Sequence, residues 1–417
     1  MDKQEKNRKV LVVCITVLAI FGFTGIFIPV AEGQGYAVPL VETVHSTPWF
    51  LHGNVKGASS SPTTYPGYIP IQIWNAYQYT SNGAYNTSYG KGETIAIVDA
   101  YGSPTIASDV NTFDSQFGLP AINLQIVKPF GKVAKNSGWA LETSLDVEWA
   151  HAMAPAAKIV LIETPSASNT YLINDAINYA YNTTHANVIS MSWGEAESQV
   201  SSSSLAQYAS IFSYVANHGV ILVAASGDSG ANDGTSSPTV NYPASDPSVV
   251  GAGGTTLYIS GASSTGGSYG TEYAWNSSGG GVSSYFNIPS YQSAAGISLS
   301  GRGVPDVSYD ANPNTGVWVY DSTVDQGLKG WIQVGGTSAA SPQWAAIFAD
   351  AQAVDGSSSI NGANVHSLLY GIYDSSNYQN DFHDITLGYN GAYYAGTGYD
   401  EVTGIGSPIV YNLITNL

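Results

Sequence analysis

The chain is poor in cysteine, in charge and above all in positive charge. Its 417 residues contain a single cysteine, Cys14, which sits in an apolar leader, so the remainder has neither a disulfide nor thiol chemistry. Stability has to come from core packing, with a bound metal as the one further staple left open. Charged residues make up 10% of the chain, and 12 Lys+Arg stand against 30 Asp+Glu, a formal net charge of −18. That balance argues against nucleic acid or an anionic membrane surface as partner, since either needs clustered Lys and Arg. It suits an acidic medium, where protonating carboxylates relieves self-repulsion. Histidine is also scarce. Of the seven, His45 and His52 precede the regular part of the chain, and none of the others (His151, His185, His218, His366, His383) stands in the glycine-bearing helix start expected of a catalytic imidazole. His218, in "ANHGVILV", reads as a helix C-terminal cap.

What is there begins with Lys3, Lys6, Arg8 and Lys9 ahead of an apolar run from Val10 to Val30. Basic residues before such a run leave the rest of the chain outside the cytoplasm. Residues 1–34 are therefore expected to be a signal peptide or a transmembrane N-terminal anchor, and the protein to be secreted or held on the outer face of the cell membrane. Residues 35–65, rich in Pro, Gly and Ser, read as a linker or irregular arm. From residue 66 to 417 the pattern is regular. Short apolar β-rich runs at 94–100, 158–164, 187–193, 220–226 and 248–254 alternate with helical stretches at 140–154, 170–183 and 204–219. Strands of that kind are buried on both faces, and the alternation predicts an open, mostly parallel α/β sheet with its working residues at the carboxyl ends of the strands.

Three stretches carry chemistry. "GGTSAASPQWAA" (335–346) sets Ser338 on a turn where a buried helix begins. Thr337 or Ser338 there is an N-cap or, in the sharper reading, Ser338 is a nucleophile with its own N–H aimed at what it attacks. "LETSLDVEWAHAMAP" places Glu142 and Asp146 one helical turn apart beside an apolar stripe of Leu141, Leu145, Trp149 and Ala152. Such a pair is a solvated acidic face or, half-buried, two carboxyls sharing a proton, one of them able to act as a base at a pH where imidazole is already protonated. "VILVAASGDSG" puts Asp228 just past a strand end, as a turn cap or as an oxyanion donor, a role open to it only when protonated. Asp99, after "TIAIVD", is either a support behind Glu142 and Asp146 or a plain strand-end cap.

Taken together, "ETSLDVEWAHAMAP", "SGDSGA" and "GGTSAASP", in the order Glu, Asp, Asp, Ser, resemble the sedolisin family, the serine-carboxyl peptidases. The likeness runs from about residue 66 to 412. It implies a subtilisin-like three-layer fold, a central mostly parallel sheet flanked by helices, with a C-terminal calcium-binding loop. It implies Ser338 as nucleophile, Glu142 as general base and later acid, Asp146 holding Glu142, and Asp228 with the Ser338 N–H as the oxyanion hole. Ser192, Trp193 and Gly194, with Gly279, Gly280 and Gly281, would border the substrate cleft and pair with an extended peptide. One Ca²⁺ would be held by Asp384 and Asp400 and by the carbonyls of Ile385, Gly396 and Gly398, hard oxygen ligands of the kind calcium prefers. The partner expected is a protein or peptide substrate, acted on by a monomer. The family usually carries a long folded prosegment, and the 30 to 60 residues after the leader are too few for one. The function expected is an acid-active endopeptidase; a tripeptidyl exopeptidase and a catalytically inactive surface adhesion module are the alternatives.

Overall fold

A computed structural model describes residues 67–417 apart from 326–327 and 356–358, together with two short strands at 38–39 and 42–43. The expected leader, 1–34, and most of the expected arm lie outside the described residues. Among the described residues no helix is long and apolar enough to cross a membrane.

In chain order the elements that frame the site begin with strands β1 (Val38–Pro39), β2 (Glu42–Thr43) and β3 (Thr94–Ala100) and helix α1 (Ile106–Phe117). Strand β4 (Asn123–Val127), helix α2 (Ser137–Met153) and strands β5 (Lys158–Thr164), β6 (Val188–Met191) and β7 (Trp193–Ala196) follow. Next come helix α3 (Ser202–Asn217) and strands β8 (Ile221–Ala225), β9 (Asn241–Tyr242), β10 (Val250–Ser263), β11 (Gly266–Ala274), β12 (Val307–Asp310), β13 (Val317–Asp325) and β14 (Leu328–Gly335). Helix α4 (Thr337–Asp355) follows directly.

Eight strands form the central sheet in the order β11-β10-β8-β6-β3-β5-β4, with β12 also paired to β10. All the pairs are parallel except β10–β11. The parallel strands are buried on both sides because each contributes alternate residues to two cores. Ile95, Ile97, Ile159, Leu161, Val188 and Val223 pack under Leu141, Leu145, Trp344 and Phe348 of α2 and α4. Ala96, Val98, Val160, Ile162, Ile189 and Leu222 face the other core, with Leu172, Ile173 and Phe212. The helix–sheet–helix layering is the three-layer α/β fold the sequence predicts. The order turns back at β3, with β5 and β4 on one side and β6 and β8 on the other. The crevice at the carboxyl ends of β3 and β6 is where such a sheet accepts a ligand.

Several elements differ from expectation. The apolar run at 187–193 ends as a sheet strand at Met191, and β7 leaves to join a separate small sheet between β1 and β9. The run at 248–254 continues to Ser263 as one arm of a long hairpin. Helix α1, strand β4 and the hairpin β13–β14 carry patterns too weak to mark them in the sequence. The stretch at 170–183 is π-helical over Thr170–Ile177 before becoming α-helical. The arm, expected to be irregular, contributes β1 and β2. Helix α2 has no solvated face, since every residue from Trp139 to Met153 is buried. It is enclosed by the sheet, α4 and β13, so the apolar stripe of the sequence marks only one of its buried sides.

Candidate active site

Helix α4 begins directly after β14, and Ser338 is its second residue. In the first turn of a helix the backbone N–H groups have no intrahelical partner and lie at the positive end of the dipole, so the Ser338 N–H is placed to meet a negative oxygen. The expected self-capping by Thr337 or Ser338 is replaced by a cap from far along the chain. Asp228 Oδ1 accepts the Thr337 N–H at 2.7 Å and the Thr337 hydroxyl at 2.8 Å, while that hydroxyl accepts the Gly227 N–H at 3.0 Å. The turn after β8 is thereby locked onto the helix start, and Asp228, 8% exposed, stands beside Ser338.

Pro342 lies inside the first turns of α4 and has no N–H to give the carbonyl of Ser338 four residues back. Ser192, at the end of β6, turns to that carbonyl, its hydroxyl 3.3 Å away, while donating at 2.7 Å to Asp146 Oδ1. In return the Ser338 hydroxyl donates to the Ser192 carbonyl at 3.3 Å. Asp146 is thus linked through Ser192 to the backbone of the candidate nucleophile.

Glu142 and Asp146 are both fully buried. Burial above all holds Glu142 well above the usual carboxylate range, with the charges of Asp146, Asp99 and Asp228 adding to it and the neighbouring Ser338 hydroxyl working against it. Asp146 is raised likewise by burial and then by Asp99, against the Ser192 hydrogen bond. Neither Glu142 oxygen accepts a hydrogen bond of ordinary geometry. The Ser338 hydroxyl is directed at the Ser192 carbonyl and lies near Glu142, whose affinity for a proton it lowers. Asp99, at the end of β3, faces the same cluster and is pushed up to about 7, chiefly by burial. The solvated-face reading of Glu142 and Asp146 is excluded by their burial.

The five described histidines bond elsewhere or lie at the surface. His151, on α2, turns away to the Pro120 carbonyl at 2.9 Å. His218 meets the Tyr214 carbonyl at 2.7 Å at the C-terminus of α3, the cap the sequence suggests. His366 approaches the Val249 carbonyl at 3.2 Å, and His383 stacks on Tyr269 at 3.6 Å between ring centroids. His185 is exposed in the connection just before β6, at the end opposite Ser192.

The two candidate cleft edges are built by close backbone approach. Gly279 donates to the Gly227 carbonyl at 2.7 Å, and its carbonyl accepts the Ser226 hydroxyl at 2.8 Å. A Cβ at Gly279 would stand 1.9 Å from the Ser226 carbonyl, so only glycine permits this clamp on the turn that carries Asp228. Gly280 lies against the Glu401 carbonyl and Gly281 against the Tyr393 ring. Across the site, Trp193 donates to the Val98 carbonyl at 2.7 Å, and a Cβ at Gly194 would meet Asn241 Oδ1 at 1.8 Å. The chain itself supplies a strand to the 193–194 edge and a second strand to β14. Strand β1 pairs antiparallel with β7 at Val38↔Gly194 and Pro39↔Trp193, and β2 pairs antiparallel with β14 at Thr43↔Val334 and Glu42↔Gly335. Composition marked this segment as a linker, and no local signal in it could have shown the pairing.

At the C-terminal end the residues expected to hold calcium share one loop. Gly398 donates to both oxygens of Asp384, at 3.0 and 3.2 Å. Asp400 is buried, and its two oxygens accept Val402 N, Thr403 N, Gly396 N and the Thr403 hydroxyl at 2.8 to 3.1 Å. Ile385 is buried beside Asp384. Among the described residues no group of three or more His, Cys, Asp or Glu side chains could hold a metal. The donor set is thus two carboxyls plus carbonyls, the right chemistry for a hard cation, with Asp400 already satisfied by its loop.

Comparison with known proteins bears on the family and the fold. The subtilase family pattern matches residues 134–379. The chain is 33% identical to kumamolisin of Bacillus sp. (strain MN-32) over 394 residues, 87% of this chain and 65% of that protein. It is 30% identical to sedolisin of Pseudomonas sp. (strain 101) over 409 residues, 90% of this chain and 66% of that protein. Tripeptidyl-peptidase 1 of Dictyostelium discoideum is 27% identical over 406 residues, 90% of this chain and 62% of that protein. The chain therefore spans just under two thirds of the length of these relatives. A solved structure of Pseudomonas sedolisin, a serine-carboxyl proteinase complexed with two molecules of pseudo-iodotyrostatin, superposes with a TM-score of 0.74 at 29% identity, over 85% of this chain and 98% of that one.

Proposed function

Since the chain belongs to the subtilase family and, within it, to the sedolisins, we propose that it hydrolyses peptide bonds at acid pH through Ser338, as an endopeptidase. The observation that carries this reading is the buried carboxyl pair Glu142 and Asp146 set against a serine at a helix N-terminus, with no described histidine bonded to the site.

In this reading Ser338 Oγ attacks the substrate carbonyl and gives its proton to Glu142. Asp146 keeps Glu142 in place and shares its proton. The developing oxyanion lies between the Ser338 N–H and a protonated Asp228, whose Oδ1 is engaged by Thr337, so the donor is Oδ2–H. Glu142 returns the proton to the leaving amine, and water then releases the acyl group by the same steps reversed. Acid is needed because an ionised Asp228 repels the oxyanion it has to stabilise. Substrate would lie extended along residues 192–194 and 279–281, as β1 lies along β7.

The tripeptidyl-peptidase relatives favour an exopeptidase as the second reading, which product lengths distinguish. One Ca²⁺ on Asp384 and Asp400, with the carbonyls of Ile385, Gly396 and Gly398, would supply charge neutralisation to the C-terminal loop and take no part in hydrolysis. Chelator should then lower the melting temperature, and an unchanged value removes the ion from the scheme. Export, and action as a monomer outside the cytoplasm, complete the proposal. The test is a pH–rate profile on a denatured protein. Cleavage should be strongest well below neutrality and should be lost in Ser338→Ala and Glu142→Gln, whereas cleavage that survives Ser338→Ala refutes the mechanism.

A further inference from the structure

Behind the candidate catalytic carboxyls the same face of the sheet carries a second acidic pair that the hydrolysis scheme does not use. On β3, Ile95 and Ile97 belong to the core beneath α2, and Asp99 continues that row by the two-residue period of a strand. On β5, Ile159 and Leu161 belong to the same core, and Glu163 continues their row. Asp99 and Glu163 are direct neighbours in the parallel register, and both are fully buried.

Their surroundings differ. The next strand, β4, pairs Val127 with Ile162, and Lys128 follows at once, so its ammonium reaches Glu163 Oε2 at 2.5 Å. Glu163 Oε1 accepts the Ser103 N–H at 3.0 Å. Gly102 completes the seat, for a Cβ there would stand 3.3 Å from Glu163 Oε2 and 3.6 Å from Lys128 Nζ. The Lys128 side chain is 44% exposed, so this ion pair joins a buried carboxyl to the surface on the side away from Ser338. Among the described residues no cation pairs with Asp99. From α2 it is faced by the Thr143 hydroxyl and by Glu142 and Asp146, and from β5 by Glu163. The Thr143 hydroxyl, which also donates to the Trp139 carbonyl at 2.8 Å, works against the rise at Asp99, and the Glu163 charge adds to it.

We propose that Lys128 and Glu163 are positioning residues for the acidic site: together they form a net-neutral ion pair behind Asp99 that sets how many protons the Asp99, Glu142 and Asp146 cluster carries. The proposal rests on the peptidase reading of Ser338. Its logic is charge balance. Removing the negative member leaves an ammonium facing the cluster, which releases its protons more readily; removing the positive member leaves a second negative charge, which makes it hold them. Through a protein interior one unit charge at this range moves a titration by about half a unit to one unit.

The test compares Glu163→Gln, Lys128→Met and the double variant with the parent protein. In pH–rate profiles the acid limb should move down by about half a unit to one unit in Glu163→Gln and up by a similar amount in Lys128→Met. The double variant, neutral again, should return toward the parent. Single variants that shift the same way, or not at all, or a double variant displaced further than either single, overturn the proposal. A second readout is independent of activity. A buried carboxyl with a raised pKa stabilises the fold fully below its ordinary value and loses that contribution as pH rises. The loss of thermal stability between pH 4 and 7 should therefore be smaller in Glu163→Gln and larger in Lys128→Met. If no peptide is cleaved by any form, the function reading fails, and the melting curves still decide the role of the pair.

Discussion

Asp228 does two jobs with its two oxygens. Oδ1 ties the start of α4 to the turn after β8, and the proposed chemistry needs a proton on Oδ2. The two can be separated by substitution. Asp228→Asn keeps an acceptor for Thr337 and places a permanent N–H donor toward the oxyanion, so its activity should persist past the parent's alkaline limb. One pH unit above that limb it should exceed the parent about tenfold in kcat/KM. Below the parent's alkaline limb, where Asp228 is a donor, Asp228→Ala should lose about 10²- to 10³-fold in kcat, and at any pH about 1 kcal/mol of stability with the lost helix cap. An Asn variant whose profile falls at the same pH as the parent's would show that another group sets that limb.

At the scale of elements, the site is assembled from the ends of three strands, β3, β6 and β8, the middle of α2 and the start of α4. In helix α4, Pro342 leaves the Ser338 carbonyl without its helical partner, and the Ser192 hydroxyl lies between that carbonyl and Asp146. The pairing of β1 with β7 places the arm along the 193–194 edge of the candidate cleft, so it competes with any peptide that binds there as a strand, while β2 is anchored on β14. Deleting residues 1–43 should lower KM for a peptide substrate with little change in kcat. The change is about tenfold if the arm occupies the cleft nine-tenths of the time. An unchanged KM with a lower melting temperature would make the arm purely structural.

At the scale of the whole molecule, the distribution of buried acids sets a pH range for stability as well as for catalysis. Burial holds Glu142, Asp146, Glu148, Asp310 and Asp350 well above the usual carboxylate range. It also pushes Asp99 and Glu195 up to about 7, and Asp233, Asp246 and Asp400 up to about 6. Each binds a proton more tightly folded than unfolded, so its contribution is fully present below about pH 4 and is lost as pH rises through its raised value, at 6 to 7 for the last five. Unfolding free energy measured in denaturant should fall by ~3 kcal/mol or more between pH 4 and 7. Asp306 has the opposite sign. Burial alone would raise it, but Arg302, 2.6 Å away, and His366 hold it well below the usual range. Its contribution is present above about pH 4 and is lost only in stronger acid. Arg302→Met strands that carboxylate in the core and should destabilise the protein by ~3–5 kcal/mol.

The central layering and the candidate residues were legible in the sequence because they rest on local rules. Apolar runs bounded by Gly, Asp or Ser mark the parallel strands, and the spacing of Glu142 and Asp146 puts them on one side of a helix. The strand ends bring Asp99, Ser192 and Asp228 to one edge of the sheet. Other features depend on residues distant in the chain. Nothing near Thr337 reveals that its cap comes from Asp228, and nothing in "LETSLDVEWA" reveals that the helix is buried all round. The pairing of the 38–43 arm with β7 and β14, and the delivery of Lys128 to Glu163, follow from which strands become neighbours. Periodicity records which side of an element is apolar, whereas desolvation, charge coupling and strand addition depend on what packs against the other sides, and only the folded chain decides that.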